Sequence, residues 1–152
     1  MNLMKKVKQL GIVVSDLDKA MESWNSVGAA GFNMFNMSTS QKTCGQVFKN
    51  GKPTEIEAKV ANFELGDLQI ELIQPLDDKG MYADFIKECG PGLHHICPDL
   101  GETSYEEAEE FMKKRYGGPV FNGTGVVMKF AYFDARKQLG SFIEIATKKE
   151  QQ

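Results

Sequence analysis

The sequence has no apolar run approaching the ~18 residues that a membrane helix needs, so no segment is expected to span a bilayer. It has only three cysteines, Cys44, Cys89 and Cys97, an odd and widely spaced set with no CxxC pair. That excludes a disulfide framework and a zinc knuckle. Its first residues, Met1-Asn2-Leu3-Met4-Lys5-Lys6, lack the apolar core of a secretion signal, and the expected location is the reducing cytoplasm. Charge of either sign is not in excess: 18 Lys and Arg face 21 Asp and Glu, a net of −3. The basic residues are scattered, with no stripe interleaved with aromatics, which argues against a nucleic-acid partner. What remains is ordinary globular composition, 41% hydrophobic and 26% charged over 152 residues, enough for one domain.

The chain reads as two halves with the same order of elements. Residues 6–14 alternate as a strand, with Leu10, Ile12 and Val14 on one face and Val7, Gln9, Gly11 and Val13 on the other. A helix follows, started by a Ser15/Asp18 capping box and stopped near Gly28. Phe32-Asn33-Met34-Phe35 reads as a short strand. Asn50-Gly51 predicts a hairpin between strands 46–49 and 55–65, and Gly66-Asp67 a tight turn into strand 68–74. Residues 81–89 form a bridge helix ended by Gly90-Pro91. Then the order restarts: strand 93–99, a helix capped by Ser104 and Glu107, and strands at 120–121, 126–133 and 142–147.

The halves also echo in residues. Lys59-Val-Ala-Asn-Phe63 resembles Lys129-Phe-Ala-Tyr-Phe133, and Ile70-Glu71-Leu72 resembles Ile143-Glu144-Ile145. One such unit cannot bury both faces of its sheet. Two predict an α+β fold of two tandem βαβββ modules, forming one curved eight-stranded mixed sheet around a cleft with the helices outside. The module limits fall near 6–76 and 92–147 within a single domain, with the bridge helix near 80–90.

Period two places Glu71 and Glu144 on the concave face, at equivalent points of the two halves. A carboxylate inside an apolar strand needs a cation, a hydrogen bond or a proton. The alternative is a solvated edge position for each. Gln9 and His95 occupy equivalent places in the two opening strands. His94 and His95, adjacent in a strand, are expected to point to opposite faces, so only one reaches the cleft. Gln9, Glu71, His95 and Glu144 together offer one nitrogen and three oxygens, an open donor set for a divalent cation. The three thiols read as structural, with Cys97 sharing the concave face.

At this point the chain resembles the vicinal oxygen chelate superfamily, which includes glyoxalase I, methylmalonyl-CoA epimerase, extradiol dioxygenases and metal-free bleomycin-binding proteins. Gln9-Leu-Gly-Ile-Val-Val-Ser-Asp-Leu17 is similar to the family's opening strand and turn. Ile70-Glu-Leu-Ile-Gln-Pro-Leu76, Gly92-Leu-His-His-Ile96 and Ser141-Phe-Ile-Glu-Ile145 resemble three further segments in order, and the bridge helix with Gly-Leu-His-His favours the epimerase-like branch.

The resemblance implies that Glu71, His95 and Glu144 match ligand positions of the metal-dependent members. Gln9 stands where those members usually carry histidine, and its amide oxygen is a weaker and harder ligand than imidazole. Cys97-Pro98 departs from the pattern and is expected to shorten or bulge its strand. The implied cofactor is a divalent ion: cobalt, manganese, nickel, zinc or magnesium. The implied reaction is metal-assisted enolisation of a carbonyl or acyl-CoA substrate, with Glu144 and Glu55 (or Glu57 in its place) as the proton-transferring carboxylates. Phe32, Met34 and Phe35 either line that pocket or belong to the core. A glyoxalase-like lyase acting on thiol adducts and a metal-free binding protein are the alternatives, and relatives suggest a homodimer.

Overall fold

Strand β1 (Val7–Val13) sits at the middle of the architecture because it pairs on both sides. In the computed structural model, which describes residues 1–149, it runs parallel to one strand of its own half and antiparallel to the opening strand of the other. The first half continues with α1 (Leu17–Ser26), β2 (Asn33–Ser38), β3 (Gln46–Lys49), β4 (Lys52–Thr54), β5 (Glu57–Leu65) and β6 (Leu68–Pro75). Helix α2 (Met81–Cys89) leads to β7 (Gly92–Pro98), α3 (Tyr105–Tyr116), β8 (Phe121–Thr124), β9 (Met128–Asp134), the short α4 (Arg136–Leu139) and β10 (Phe142–Lys148).

One sheet holds all ten strands, in the order β2-β5-β6-β1-β7-β10-β9-β8-β3-β4. Eight of them are the two expected fours, β2-β5-β6-β1 and β7-β10-β9-β8, joined back to back at the β1–β7 seam. The other two correct the eight-stranded expectation. Asn50-Gly51 does turn the chain, with φ of +51° and +79°. The returning strand, however, is the three-residue β4 and not residues 55–65. The hairpin leaves its own half and pairs with β8 of the other, Val47 opposite Gly123. It is a long-range pairing that no local pattern announces. Two links, residues 39–45 and 55–56, therefore bridge the opposite ends of the sheet and hold it in a curl.

Alternation along the strands separates two outer cores from an inner one. Leu10, Ile12, Ile70 and Leu72 pack beneath α1 with Leu17 and Phe63. Ile143 and Ile145 pack beneath α3 with Tyr105, Ala108 and Met112. Val13, Val60, Ile73 and Phe142 face inward and meet Met81, Tyr82 and Phe85 of α2. Helix α3 begins with the expected capping box, Ser104 Oγ accepting from Glu107 N and Glu107 accepting from Ser104 N. Helix α1 begins one residue later than its expected box: Asp16, not Ser15, is the cap, its carboxylate accepting from Lys19 N at 3.1 Å. No helix among the described residues is long and apolar enough to cross a membrane.

Candidate functional site

The curl encloses a cavity of about 560 Å³, within the range of small-molecule sites. Its floor is made by the four central strands, β6, β1, β7 and β10: Glu71, Gln9 and Glu144 line it, with Cys97 from β7, and His95 lies buried just behind them. Glu71 and Glu144 are each 8% exposed and His95 is fully buried. Around His95 Nε2, Glu144 Oε2 lies at 3.2 Å, Gln9 Oε1 at 3.3 Å and Glu71 Oε1 at 3.7 Å. Gln9 is oriented by its own amide, which donates to Gln69 Oε1 at 2.7 Å and to Glu71 Oε2 at 3.4 Å, so its oxygen is turned toward the imidazole.

Gly11 makes this arrangement possible. It sits opposite His95 in the seam, and a β-carbon there would lie 1.9 Å from the imidazole Cε1. Glycine inside a strand marks a close approach, which is the signal that could have exposed this residue in the sequence.

Electrostatics follow from burial. The Glu71 carboxyl is pushed up to about 7, chiefly by desolvation, with His95 pulling it down and Glu144 pushing it up. Tyr82 of α2 and Tyr132 of β9 also line the cavity, their hydroxyls 2.7 Å apart. Burial, with the two carboxylates nearby, holds both well above the ordinary tyrosine range. Sequence reasoning missed this pair because Tyr82 belongs to no motif and Tyr132 only to the echo 129–133, and the two are brought together only by α2 closing on the sheet. It also missed Glu64, Gln69 and Asn62, all on the lining. They repeat every second residue along β5 and β6 with Glu71, and that alternation could have revealed them.

Several expectations need correction. His94 and His95 do not face opposite sides. The seam register shifts between Gly11 and Ile12, whose partners are His95 and Leu93, so His94 is the extra residue of a bulge. Its ring is fully buried, stacks on Phe142 at 4.7 Å and places Nδ1 3.0 Å from His95 Nδ1. Glu55 is exposed in the β4–β5 link and off the cavity lining; Glu57 is also off it and accepts from Ser40 N instead. Of the three apolar candidates only Phe35 lines the cavity; Phe32 packs on Phe63 and Met34 is exposed. Cys44 and Cys97 line the cavity, each with burial pushing its thiol up, while Cys89 is exposed. Beside Pro98 the seam shifts register a second time.

The donor set can be tested for a cation. Two atoms bound to one ion at ~2.1 Å lie ~3.0 Å apart on adjacent octahedral corners and ~3.4 Å apart on tetrahedral ones. The His95–Glu144 and His95–Gln9 separations fall in that range, and Glu71 lies just outside it. No group of three or more His, Cys, Asp and Glu side chains among the described residues is set to hold a metal as it stands. The amide oxygen of Gln9 adds a fourth donor beside Glu71, His95 and Glu144. Three oxygens and one imidazole, two of the oxygens on buried carboxyl groups, suit a divalent cation of the harder kind.

The curled double-module sheet and this floor define a class. Residues 8–115 match the family model for the Glyoxalase/Bleomycin resistance protein/Dioxygenase superfamily, and the chain belongs to that superfamily, the vicinal oxygen chelate proteins. No curated protein matches the sequence. Among solved structures, a hypothetical protein from Bacillus halodurans is 25% identical over 97% of this chain and 96% of its own, with a TM-score of 0.64. Methylmalonyl-CoA epimerase from Mycobacterium tuberculosis is 18% identical over 95% of this chain and 88% of its own, with a TM-score of 0.62. A variant of the Streptomyces coelicolor epimerase, in complex with 2-nitronate-propionyl-CoA, is 16% identical over 95% and 94%, with a TM-score of 0.61. At these identities the two epimerases attest a shared fold.

Proposed function

We propose that the protein is a metal-dependent isomerase that moves the proton next to a carbonyl group, an epimerase acting on an acyl-CoA or a similar carbonyl substrate. The observation that carries this is the convergence of Glu144, Gln9 and Glu71, which line the cavity, on the buried His95 just behind them. Those four residues would hold the cation. When bound, it supplies Lewis acidity that makes the hydrogen beside a carbonyl easier to remove.

The chain's own groups supply the rest. Glu144, at the cavity floor, takes the proton from the α-carbon. Glu64 is the remaining carboxylate on the lining and stands in for Glu55 as the group that exchanges a proton from another side. Phe35, Val126, Val127 and Met128 give the cavity an apolar rim, and Lys8 and Lys148 place positive charge on its lining, which suits an anionic substrate.

The test is metal content per chain in untagged protein purified without chelator, followed by α-proton exchange of a 2-substituted acyl-CoA thioester in deuterated water. Near-stoichiometric metal, with exchange abolished in Glu144→Gln, is the expected result. Protein that neither holds nor takes up cobalt, manganese, nickel, zinc or magnesium would overturn the proposal. One observation favours a second reading: His95 Nε2 already has Gln9 and Glu144 as partners without a cation. That is how a metal-free binding pocket would be built, and its ligand affinity would be indifferent to chelators. A glyoxalase-like lyase would show metal but turn over thiol adducts in place of thioesters.

A further inference from the structure

Gln9 differs from the other three donors in one respect. A side-chain amide has two ends of nearly the same shape, and only the oxygen has a lone pair to offer a cation. His95 does not choose between those ends, because an imidazole nitrogen donates or accepts according to its tautomer. Another group must keep the nitrogen of Gln9 turned away.

The strand register supplies it. Glu64 of β5 stands opposite Gln69 of β6, and Gln69 stands opposite Gln9 of β1. The three side chains form a row across three neighbouring strands at one level of the sheet, all on the cavity lining. Glu64 Oε1 accepts from Gln69 Nε2 at 3.4 Å, and Gln69 Oε1 accepts from Gln9 Nε2 at 2.7 Å. A carboxylate only accepts, so the row has one direction. With the nitrogen of Gln69 given to Glu64, its oxygen is left for Gln9. With the nitrogen of Gln9 given to Gln69, the oxygen of Gln9 is left facing His95 Nε2, 3.3 Å away. Reversing either amide alone sets two nitrogens or two oxygens face to face, and a pair of like ends forms no bond.

We infer that Gln69, held by Glu64, is a positioning residue that keeps the amide oxygen of Gln9 turned to the cation site, and that this row is what lets a glutamine serve there as the fourth donor. The longer contact from Gln9 Nε2 to Glu71 Oε2, 3.4 Å, points the amide the same way, but Glu71 is itself one of the four donors and is no independent anchor. The row uses one oxygen of Glu64 and leaves the other for the proton exchange assigned above.

The part of this inference that concerns the cation rests on the metal reading above; the orientation of the amide does not. In metal-free protein, the side-chain amide protons of Gln9 should show nuclear Overhauser contacts with Gln69 and none with His95 Hε1. In Gln69→Met, which keeps the length of the side chain and removes both polar ends, the amide is free to turn and a contact with His95 Hε1 should appear. Mn2+ affinity, read from the electron spin resonance of the free ion, should fall by about tenfold to a hundredfold. Glu64→Gln, which offers Gln69 either end, should give a smaller fall. The deciding comparison is made in Gln9→His, which has no amide to turn: there Gln69→Met should leave Mn2+ affinity unchanged, whereas a merely structural role for Gln69 would lower it as before. Equal losses in the two backgrounds overturn the inference, as does parent affinity in Gln69→Met, or a Gln9 amide already in contact with His95 Hε1 in the metal-free parent. If the parent binds none of the ions named above, the metal reading falls, and the metal-free contacts in the parent and in Gln69→Met still decide whether Gln69 sets the amide.

Discussion

Replacing Gly11 by alanine tests the site through a single methyl group. The backbone at Gly11 lies outside the left-handed region, so alanine suits it, and the loss of unfolded-state freedom would by itself stabilise by about 0.4 to 1 kcal/mol. Against this, the new β-carbon would lie 1.9 Å from His95 Cε1 and 2.3 Å from both ring nitrogens. The imidazole cannot yield in place, being fully buried and fixed by His94, Gln9, Glu144 and the ring of Tyr132. It must therefore swing toward the cavity, leaving its hydrogen-bond partners, or push the seam apart. Loss of a charge-assisted bond costs about 1.5 to 3 kcal/mol, and overpacking about 1 to 3. Allowing for partial relief through the cavity, Gly11→Ala should destabilise by about 2 to 4 kcal/mol, a fall in melting temperature of about 5 to 15 °C. Urea unfolding followed by circular dichroism gives the stability, and the 15N shifts of His95 report whether the ring has moved. A variant as stable as the parent, with His95 shifts unchanged, would refute the packing argument.

Three further outcomes are expected. Glu71, pushed up to about 7, keeps a proton that the unfolded chain has already lost between about pH 4.5 and 7, so its contribution to stability is present below that window and is lost as pH rises through it. The loss is at most about 3 kcal/mol; urea midpoints at pH 5 and 8 in metal-free buffer should differ more in the parent than in Glu71→Gln, and equal slopes would count against the burial argument. Tyr82→Phe strands the Tyr132 hydroxyl and should cost about 1 to 3 kcal/mol, while adding Tyr132→Phe should cost much less than a second such loss; strict additivity in that cycle would mean the pair is not coupled. Ser104→Ala removes the α3 cap and should cost about 1 kcal/mol without moving any 15N shift of His95, since the cap lies outside the site.

Alternation is why much of the floor was legible beforehand. Glu71 and Glu144 stand between residues that pack beneath α1 and α3, so period two alone turned them inward, and the echo between the halves put Gln9 and His95 beside them. What broke the reading was every place where the period itself broke. His94 sits in a bulge, so the rule that neighbours face apart failed for the two residues where it mattered most. The hairpin of β3 and β4 carries a clear turn signal, but nothing local tells which strand it will join, and β8 lies in the other half of the chain. Glu55 is the first residue of the expected strand 55–65, but the strand starts at Glu57 and leaves Glu55 in an exposed link after β4. Tyr82 and Tyr132 meet only through the docking of a helix, a relation with no sequence period.

The crossing of the hairpin has a consequence for how the chain is made. As the polypeptide emerges, β3 and β4 are finished long before β8 exists, and β1 has only one of its two neighbours. The early half thus waits with two unpaired edges, the kind of surface that recruits other chains. Gly45, whose β-carbon would lie 1.9 Å from the Thr124 carbonyl oxygen, can seat only when the late strand arrives. Closure of the curl therefore requires β8, so a chain that ends after α2 contains both strands of the hairpin and lacks the second partner of β3.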